Sequence, residues 1–224
     1  MTATSTRPTR TIRTLRHDPN ERPFIVIWEV TRACALACTH CRADAIPARN
    51  PLELTTEEGY RLLDEIAAFG APRPIVVLTG GDPFERPDLP ELVRHGTEAG
   101  LHVALSPSVT PRLTEPVLRD LRAAGASAVS LSLDGATAAG HDGFRGIDGV
   151  FDQTLRAART VRDVGYRLQI NTTVTAGNAH ELPDILRTVV ELGASLWSVF
   201  FLVPVGRGSA LTPLDPTDAE DVLH

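Results

Sequence analysis

The sequence predicts an α/β protein built as a partial, open (βα)6 TIM-like barrel with parallel strands. Short β-branched and apolar runs alternate six times with longer helical patterns. Glycines mark the ends of the main helical segments, a few residues before the next strand, as is typical of repeated βαβ units. A complete eight-stranded barrel commonly needs about 250 residues. Six units in 224 residues therefore indicate a partial barrel.

The six predicted strands follow one another at regular intervals. The first two, residues 24–28 and 75–78, are continuously apolar, which predicts burial on both faces of a parallel sheet. The other four are predicted over residues 102–105, 128–133, 168–174 and 197–202. A doubly wound Rossmann-like sheet is the structural alternative, but no G-x-G-x-x-G follows the first strand.

The predicted helices fill the intervals between these strands. The first spans residues 55–70, opens with threonines and acidic residues suited to capping, and closes at Gly70. Four more are predicted over residues 89–99, 116–124, 149–164 and 182–192, each followed by a glycine. A last helix begins with a capping box in which Thr217 is the cap and Glu220 lies three residues on. It would stop at His224, so we expect the chain to be truncated in the sixth helix.

Composition limits the class of protein. About 42% of the residues are apolar, yet no apolar run approaches the roughly 18 residues of a membrane span, and no signal peptide is evident. These features predict a cytoplasmic protein that does not enter a membrane. All 22 basic residues are arginine, so lysine Schiff-base chemistry is excluded and any carboxylate clamp must use arginine.

The chain divides into a short arm and one core domain. Residues 1–22, rich in arginine and threonine, are predicted to form a flexible N-terminal arm, and residues 23–224 the core. The net charge is -6, and no aromatic residues are interspersed with the basic ones. Both features disfavour a nucleic-acid partner.

All three cysteines, Cys34, Cys38 and Cys41, lie within eight residues of one another directly after the first strand. Thiolates bind soft metals, and three of them leave one position of a four-coordinate site or cluster open. The odd number argues against a disulfide framework, which predicts a reducing compartment. A structural zinc completed by His40 is disfavoured because adjacent His40 and Cys41 chelate poorly together. A thioredoxin-like pair of Cys38 and Cys41 would leave Cys34 unused.

The C-x3-C-x2-C spacing resembles the signature of the radical S-adenosylmethionine (radical SAM) superfamily. Residues 27–34, Ile-Trp-Glu-Val-Thr-Arg-Ala-Cys, are similar to the peptide-maturase and haem-maturation members. The resemblance implies a radical SAM core with a 4Fe-4S cluster on Cys34, Cys38 and Cys41. It also implies S-adenosylmethionine at the open iron, with His40 near its adenine. The enzyme would be an oxygen-sensitive oxidoreductase that cleaves S-adenosylmethionine reductively and abstracts hydrogen from its substrate. A flavodoxin- or ferredoxin-type protein would donate the electron.

Further candidate cofactor-binding residues follow other strands. Gly80, Gly81 and Asp82 correspond to a Gly-Gly-Glu segment that holds the amino group of S-adenosylmethionine in the superfamily. Aspartate is one methylene shorter than glutamate, but the backbone contacts stay available. The alternative for this segment is an ordinary turn. Ser106 and Ser108, after the third strand, line the pocket or form a plain loop.

The fourth and fifth strands carry the remaining candidates. Ser132, Asp134 and Arg145 resemble the Ser-Leu-Asp-Gly and His-Asp-x-x-Arg segments of these relatives, and the hydroxyl and guanidinium would address the methionine carboxylate or ribose. Arg145 could instead form a surface ion pair. Asn171 is predicted to bind ribose or carboxylate, with a buried structural amide as the alternative.

The last strand and the end of the chain bear on the substrate. The apolar segment after the sixth strand would flank adenine, with Gly206 and Gly208 keeping the pocket mouth open. No cysteine follows Cys41, so we expect no SPASM domain with auxiliary clusters. The predicted substrate is a small molecule, a peptide or a tetrapyrrole-like precursor, and no catalytic residue stands out. The alternative is a truncated, non-enzymatic partner subunit that binds a cluster or S-adenosylmethionine.

Overall fold

The structure is a computed structural model that describes residues 18–223. It contains a sheet of six parallel strands in the order in which they occur along the chain. This open, parallel sheet confirms the predicted fold class. The strands are β1 (Ile25–Thr31), β2 (Ile75–Gly80), β3 (His102–Leu105), β4 (Ala128–Ser132), β5 (Arg167–Val174) and β6 (Leu196–Phe201).

Helices connect the strands on the outer side of the sheet. They are α1 (Thr56–Ala67), α2 (Leu89–Glu98), α3 (Glu115–Ala123), α4 (Ala138–Arg145), α5 (Val150–Asp163), α6 (Leu182–Glu191) and α7 (Pro216–Leu223). Each helix predicted between two strands is present within three residues of its predicted ends. The glycines that were expected to end them have positive φ, as a left-handed stop requires: Gly70, Gly100, Gly125, Gly165 and Gly193.

The main core lies between the sheet and these helices. Side chains alternate along β5, where Leu168, Ile170, Thr172 and Val174 are buried and the residues between them are only half-buried. Val76, Leu78 and Leu105 on neighbouring strands are also fully buried and belong to the same apolar cluster. The opposite face of the sheet is the inside of an incomplete barrel, so it stays open to ligands.

The prediction that β1 is buried on both faces is wrong. Ile25 is 45% exposed and Ile27 is 65% exposed, whereas Val30 is buried. The reason is topological. Because β1 and β6 are the two edge strands of an open sheet, no further strand of the described part of the chain covers the inner face beside them.

Two details of the helices also differ from the predictions. Helix α4 was not predicted, since its eight residues are too short and too glycine-rich to give a clear helical period. The predicted cap of the last helix is wrong, because Asp215 accepts hydrogen bonds from the backbone N–H groups of Thr217 (2.8 Å) and Asp218 (2.9 Å). Helix α7 therefore begins at Pro216.

Residues 1–17 of the predicted arm, which spans residues 1–22, lie outside the described residues. The arm, and the division of the chain into arm and core, therefore remain predictions. Among the residues that the structure describes, no helix is long and apolar enough to span a membrane.

The N-terminus of α1 allows a prediction about stability. Thr55 accepts a hydrogen bond from Glu58 N–H (3.2 Å), and the Glu58 carboxylate accepts one from Thr55 N–H (2.9 Å). We expect Thr55→Ala to lower the free energy of unfolding by about 1 kcal/mol. Thr114, the cap residue of α3, makes no side-chain capping bond, so Thr114→Ala is the matched control. Denaturant unfolding checks both; equal losses would contradict the capping box.

Candidate functional site

A cavity of about 430 Å³ opens at the carboxyl ends of the strands, on the inner side of the sheet. Residues at or after the ends of all six strands line it, which is where parallel α/β folds place their sites. Of the predicted residues, it brings together Cys34, Cys38, His40, Cys41, Gly80, Gly81, Ser106, Ser108, Ser132 and Arg145.

The three thiols line this one cavity from a single loop. We call residues 32–46 the cysteine loop. Cys34 and Cys38 are buried, Cys41 is half-buried, and none forms a disulfide. Neighbouring elements hold the loop by its backbone: Cys34 N–H donates to Ile46 (2.9 Å), Asp82 N–H donates to Ala33 (2.7 Å) and Thr39 N–H donates to Phe144 (3.0 Å). The loop is thus fixed from β2 and α4 as well as by its own ends.

The three thiols are the metal-binding candidates of this cavity. Among the residues described, no group of three or more His, Cys, Asp or Glu side chains is placed to hold one metal ion. The thiols nevertheless line one cavity and none is in a disulfide. Thiolates are ligands both of zinc and of iron-sulfur clusters, so the donor set fits the chemistry of either.

The surroundings of Cys34 and Cys38 differ in charge. Burial raises the pKa of the Cys34 thiol, and the hydrogen bond with Ser108 (Sγ to Oγ, 3.4 Å) partly opposes this rise. The Arg145 guanidinium lies 3.6 Å from Cys38 Sγ.

Gly80 and Gly81 bring the end of β2 against the cysteine loop. Gly81 N–H donates to the carbonyl of Thr31 (2.8 Å), and Gly80 has φ +128. A Cβ at Gly80 would overlap the carbonyl oxygen of Thr31, and one at Gly81 would overlap that of Ala33. Both glycines therefore permit close packing of two backbones, a purpose that sequence reasoning missed, besides lining the cavity.

The Asp82 side chain does not line the cavity. It is fully buried, where Oδ1 accepts from Phe84 N–H (3.1 Å) and Oδ2 from the Thr110 hydroxyl (2.8 Å). Ser108 N–H also approaches Oδ1, at 3.4 Å. Burial raises the pKa of this carboxyl group. Its hydrogen bonds join the loops after β2 and β3, so only the backbone of the Gly-Gly-Asp segment faces the site.

Ser132 and Arg145 line the cavity, whereas Asp134 lies behind them. Asp134 is 1% exposed and forms an ion pair with Arg145. Its other oxygen accepts from Thr173 N–H at 2.7 Å. Arg145 thus forms a buried ion pair rather than a surface one, and this pair fixes the guanidinium beside Cys38.

Asn171 does not line the cavity. It belongs to β5 on the inner face, paired in register with Ser132 and Ser198. Its amide oxygen accepts from the Gln169 side chain at 2.7 Å. The residue of β5 that does line the cavity is Thr173, two positions further along the same face.

His40 lies between the metal-binding candidates and α4. Its ring stacks on Phe144 with centroids 4.4 Å apart, and its Nδ1 atom is buried without a hydrogen-bond partner. Burial, together with the nearby Arg145, lowers the pKa of His40 to about 4. The imidazole is therefore a neutral, flat surface at the cavity wall at neutral pH.

His141 and Arg207 also line the cavity, and sequence reasoning missed both. His141 is fully buried; its Nδ1 accepts from Asp134 N–H (3.1 Å) and its Nε2 lies 3.3 Å from the Thr154 hydroxyl. Its place in the His-Asp-x-x-Arg segment, one turn before Arg145, was the available signal. Arg207 stands between Gly206 and Gly208, and in this segment only the glycines and the apolar residues had been given a role from the sequence.

Comparison with known proteins identifies the family. The model of the radical SAM superfamily matches residues 28–189, so the chain belongs to this superfamily. Its members are enzymes, for which S-adenosylmethionine and a 4Fe-4S cluster are characteristic. This confirms the family predicted from the cysteine spacing.

Individual relatives agree with this assignment. The AdoMet-dependent heme synthase of Methanosarcina barkeri is 43% identical over 202 residues, covering 90% of this chain and 57% of that protein. The PqqA peptide cyclase of Rhodopseudomonas palustris is 36% identical over 172 residues, covering 77% and 45%. The crystal structure of Streptococcus suis SuiB bound to S-adenosylmethionine is similar in fold, with a TM-score of 0.77 at 16% identity, covering 91% and 46%. The chain thus spans about half the length of these proteins.

The burial of His141 leads to a prediction about pH. Burial and the nearby Arg145 lower the pKa of His141 to about 4 from an ordinary 6.5. Between these pH values the unfolded chain binds more protons than the folded one, so stability falls as the pH drops from 6.5 to 4. We expect His141→Asn, whose amide oxygen replaces the acceptor Nδ1, to reduce that fall by roughly 1–3 kcal/mol.

Urea unfolding at several pH values between 4 and 7 measures this effect. The control is His102→Asn, because His102 is exposed on β3. If the two variants show the same pH dependence, His141 is not the group responsible.

Proposed function

We propose that Cys34, Cys38 and Cys41 bind a 4Fe-4S cluster and that the chain is the catalytic core of a radical SAM enzyme. The observation that carries this proposal is the convergence of three free thiols, a Gly-Gly turn, Ser132 and Arg145 on one cavity. Three thiolates leave one iron of a cubane without a protein ligand, which is the position that S-adenosylmethionine would take. When bound, these two groups supply the electron and the deoxyadenosyl radical for hydrogen abstraction.

The residues of the chain would bind and orient S-adenosylmethionine. The backbone of Gly80 and Gly81 faces the cavity and offers carbonyl oxygens to the ammonium group. On the other side, the Ser132 hydroxyl and the Arg145 guanidinium offer donors to the carboxylate. Asp134 already holds Arg145 in place, so little side-chain entropy is lost when the ligand arrives.

The other predicted cofactor-binding residues differ in their position relative to this ligand; they are His40, Asp82, Asp134 and Asn171. The neutral ring of His40, stacked on Phe144, offers a flat surface for adenine. Asp82 and Asp134 support the binding groups from behind through hydrogen bonds and the ion pair with Arg145. Asn171 would reach only a ligand that extends deeper into the barrel, because the pocket lining on β5 is Thr173.

The substrate is proposed to enter through the open side of the barrel. The cavity wall there is apolar, with Ile27 on β1 and Phe200 on β6 both more than half exposed. Arg42 also lines the cavity and forms an ion pair with Glu29. A flat, apolar molecule with peripheral carboxylates fits this wall, which agrees with a tetrapyrrole-like precursor and with the relative named as a heme synthase.

A peptide is the second candidate substrate. The PqqA peptide cyclase is a relative by sequence, and SuiB has been crystallised bound to its precursor peptide. The lower identity to the cyclase makes the tetrapyrrole-like substrate the first to test. In either case a flavodoxin- or ferredoxin-type protein is the proposed electron donor.

Anaerobic reconstitution tests the proposed chemistry. We expect the 224-residue chain to take up about four irons and four sulfides and to release 5′-deoxyadenosine from S-adenosylmethionine under a strong reductant. Cys41→Ala should lose both properties, since two thiolates hold a cubane poorly. Iron and sulfide analysis, electron paramagnetic resonance and chromatography of the nucleoside provide the measurements.

The outcomes separate the competing functions. A cluster without nucleoside release would favour the alternative, a partner subunit that binds the cluster or S-adenosylmethionine without turnover. A chain that retains only zinc after oxygen-free purification would contradict both.

Ser132 offers a test of the ligand contacts. Removing its hydroxyl should weaken S-adenosylmethionine binding to the cluster-loaded chain by about fivefold to tenfold, the loss expected for one hydrogen bond. Ser130 is the matched control, two residues earlier on the same face of β4, with its hydroxyl directed at the Leu105 carbonyl (3.5 Å). Calorimetric titration of Ser132→Ala and Ser130→Ala compares them. Equal affinities in the two variants would rule out a contact from Ser132.

A further inference from the structure

The turn that follows β6 packs on the cysteine loop. We call residues 206–208 the β6 turn. Arg207 N–H donates to the carbonyl of Cys41 (3.1 Å), its Nε donates to that of Cys38 (2.9 Å) and its Nη1 approaches that of Ala45 (3.3 Å). One residue thus engages three carbonyls of the loop, two of them belonging to the thiol-bearing residues themselves.

The glycines of the β6 turn allow this contact. Gly206 has φ +58, and a Cβ on it would lie 2.6 Å from the Cys41 carbonyl oxygen and 2.8 Å from that of Arg42. A Cβ on Gly208 would lie 3.3 Å from the carbonyl oxygen of His40. The interpretation that these glycines keep the cavity mouth open is therefore wrong. They are needed because two backbones meet there.

The contact between the β6 turn and the cysteine loop bridges the two edges of the sheet. The cysteine loop follows β1 and the β6 turn follows β6, and these are the two edge strands of the open sheet. No ladder of backbone hydrogen bonds joins the two edges of the described sheet. The β6 turn therefore connects the first and last strands of the barrel at the level of the three thiols. On this side of the loop no strand pairing holds Cys38 and Cys41.

The Arg207 guanidinium also has an unused donor. Its Nη2 atom is buried and has no hydrogen-bond partner, and the residue lines the cavity beside Cys38 and Cys41. A buried donor left unpaired is costly, so it points to a partner that occupies the cavity. A cluster ligated by three thiolates carries negative charge and sulfur acceptors, which suits a guanidinium donor.

We propose that the β6 turn sets the geometry of the cysteine loop, with Arg207 as a positioning residue for the cluster that also donates a charged hydrogen bond to it. The donor role of Arg207 rests on the proposed function, because it needs the cluster. The positioning role does not, because the contacts of Arg207 and Gly206 with the loop are made by the chain alone. Separate experiments test the two roles.

The first test measures thiol reactivity in the 224-residue chain before a cluster is added. We expect Gly206→Ala and Arg207→Met to raise the rate of iodoacetamide alkylation at Cys38 and Cys41 by roughly tenfold, because each loosens the loop by one or more hydrogen bonds. Cys34 should change little, since Ile46 and Ser108 hold it from the other side. Mass spectrometry of the three cysteine peptides gives the separate rates.

Two matched variants control for general destabilisation. Gly165 also has positive φ, at +93, but a Cβ there meets nothing within 4 Å, so Gly165→Ala strains the backbone without making the contact. Arg162 donates to the Leu192 carbonyl (2.8 Å) far from the thiols, so Arg162→Met is the control for Arg207→Met. If the controls accelerate Cys38 and Cys41 as much as the test variants do, the proposal is overturned.

The second test uses the reconstituted protein and follows the cluster by its midpoint potential. Loss of a cationic donor next to the cluster should make the potential of Arg207→Met more negative. Arg207→Lys, which keeps the charge, should restore most of the potential while the alkylation rates stay high, because an ammonium cannot engage two carbonyls as a fork does. A potential that is unchanged in Arg207→Met overturns the donor role. Failure of the wild-type chain to bind any cluster would instead contradict the proposed function and leave the alkylation test to decide the positioning role.

Discussion

The site depends on the close contact between the cysteine loop and the backbones of its neighbours. A 15-residue loop with three reactive side chains would be mobile if only its ends were fixed. Here it packs closely against Gly81 and is hydrogen-bonded to Asp82, to the end of α4 and to the β6 turn. Glycines make two of these contacts possible, because any side chain would separate the backbones. Preorganisation of this kind is what a site needs if its ligands are to bind without a large loss of conformational entropy.

Buried charges organise the wall opposite the Gly-Gly turn. Asp134 neutralises Arg145, accepts from Thr173 and receives its own orientation from His141, which holds the Asp134 backbone N–H. An ion pair this deep costs desolvation energy, so its stabilising value alone does not explain it. It does explain how a guanidinium can be kept beside Cys38 and in the cavity wall. The same arrangement explains the lowered pKa of His40 and His141, since burial and the Arg145 cation both oppose a further positive charge.

The sequence predicted the elements well because their signals are local. The apolar run of β2 and the glycine stops at Gly70 and Gly165 each depend on a few adjacent residues, and the strands and helices lie close to their predicted ends. Helix α4 was missed because a short, glycine-rich segment carries a weak helical period. The cap at Asp215 was missed because aspartate and threonine both cap helices, and only the structure shows that Asp215 accepts the backbone hydrogen bonds. The exposure of Ile27 could not be predicted, because an apolar run in an edge strand of an open sheet has the same sequence pattern as one in a closed core.

Within the site, the amino-acid sequence by itself determined the chemistry, namely three thiols at one spacing, the glycine pair, the serine at the end of β4 and the arginine that follows it at the end of α4. These are properties of residue type and order. The tertiary structure alone decided which way each side chain faces. Asp82 points into the core and Asp134 pairs with Arg145. Asn171 bonds to Gln169 and does not line the cavity, and Arg207 reaches the cysteine loop from the opposite edge of the sheet. Those directions depend on partners up to 169 positions apart in the chain, as for Arg207 and Cys38. No local pattern encodes such distances, because they arise only when packing of the helices on the sheet brings the strand ends together.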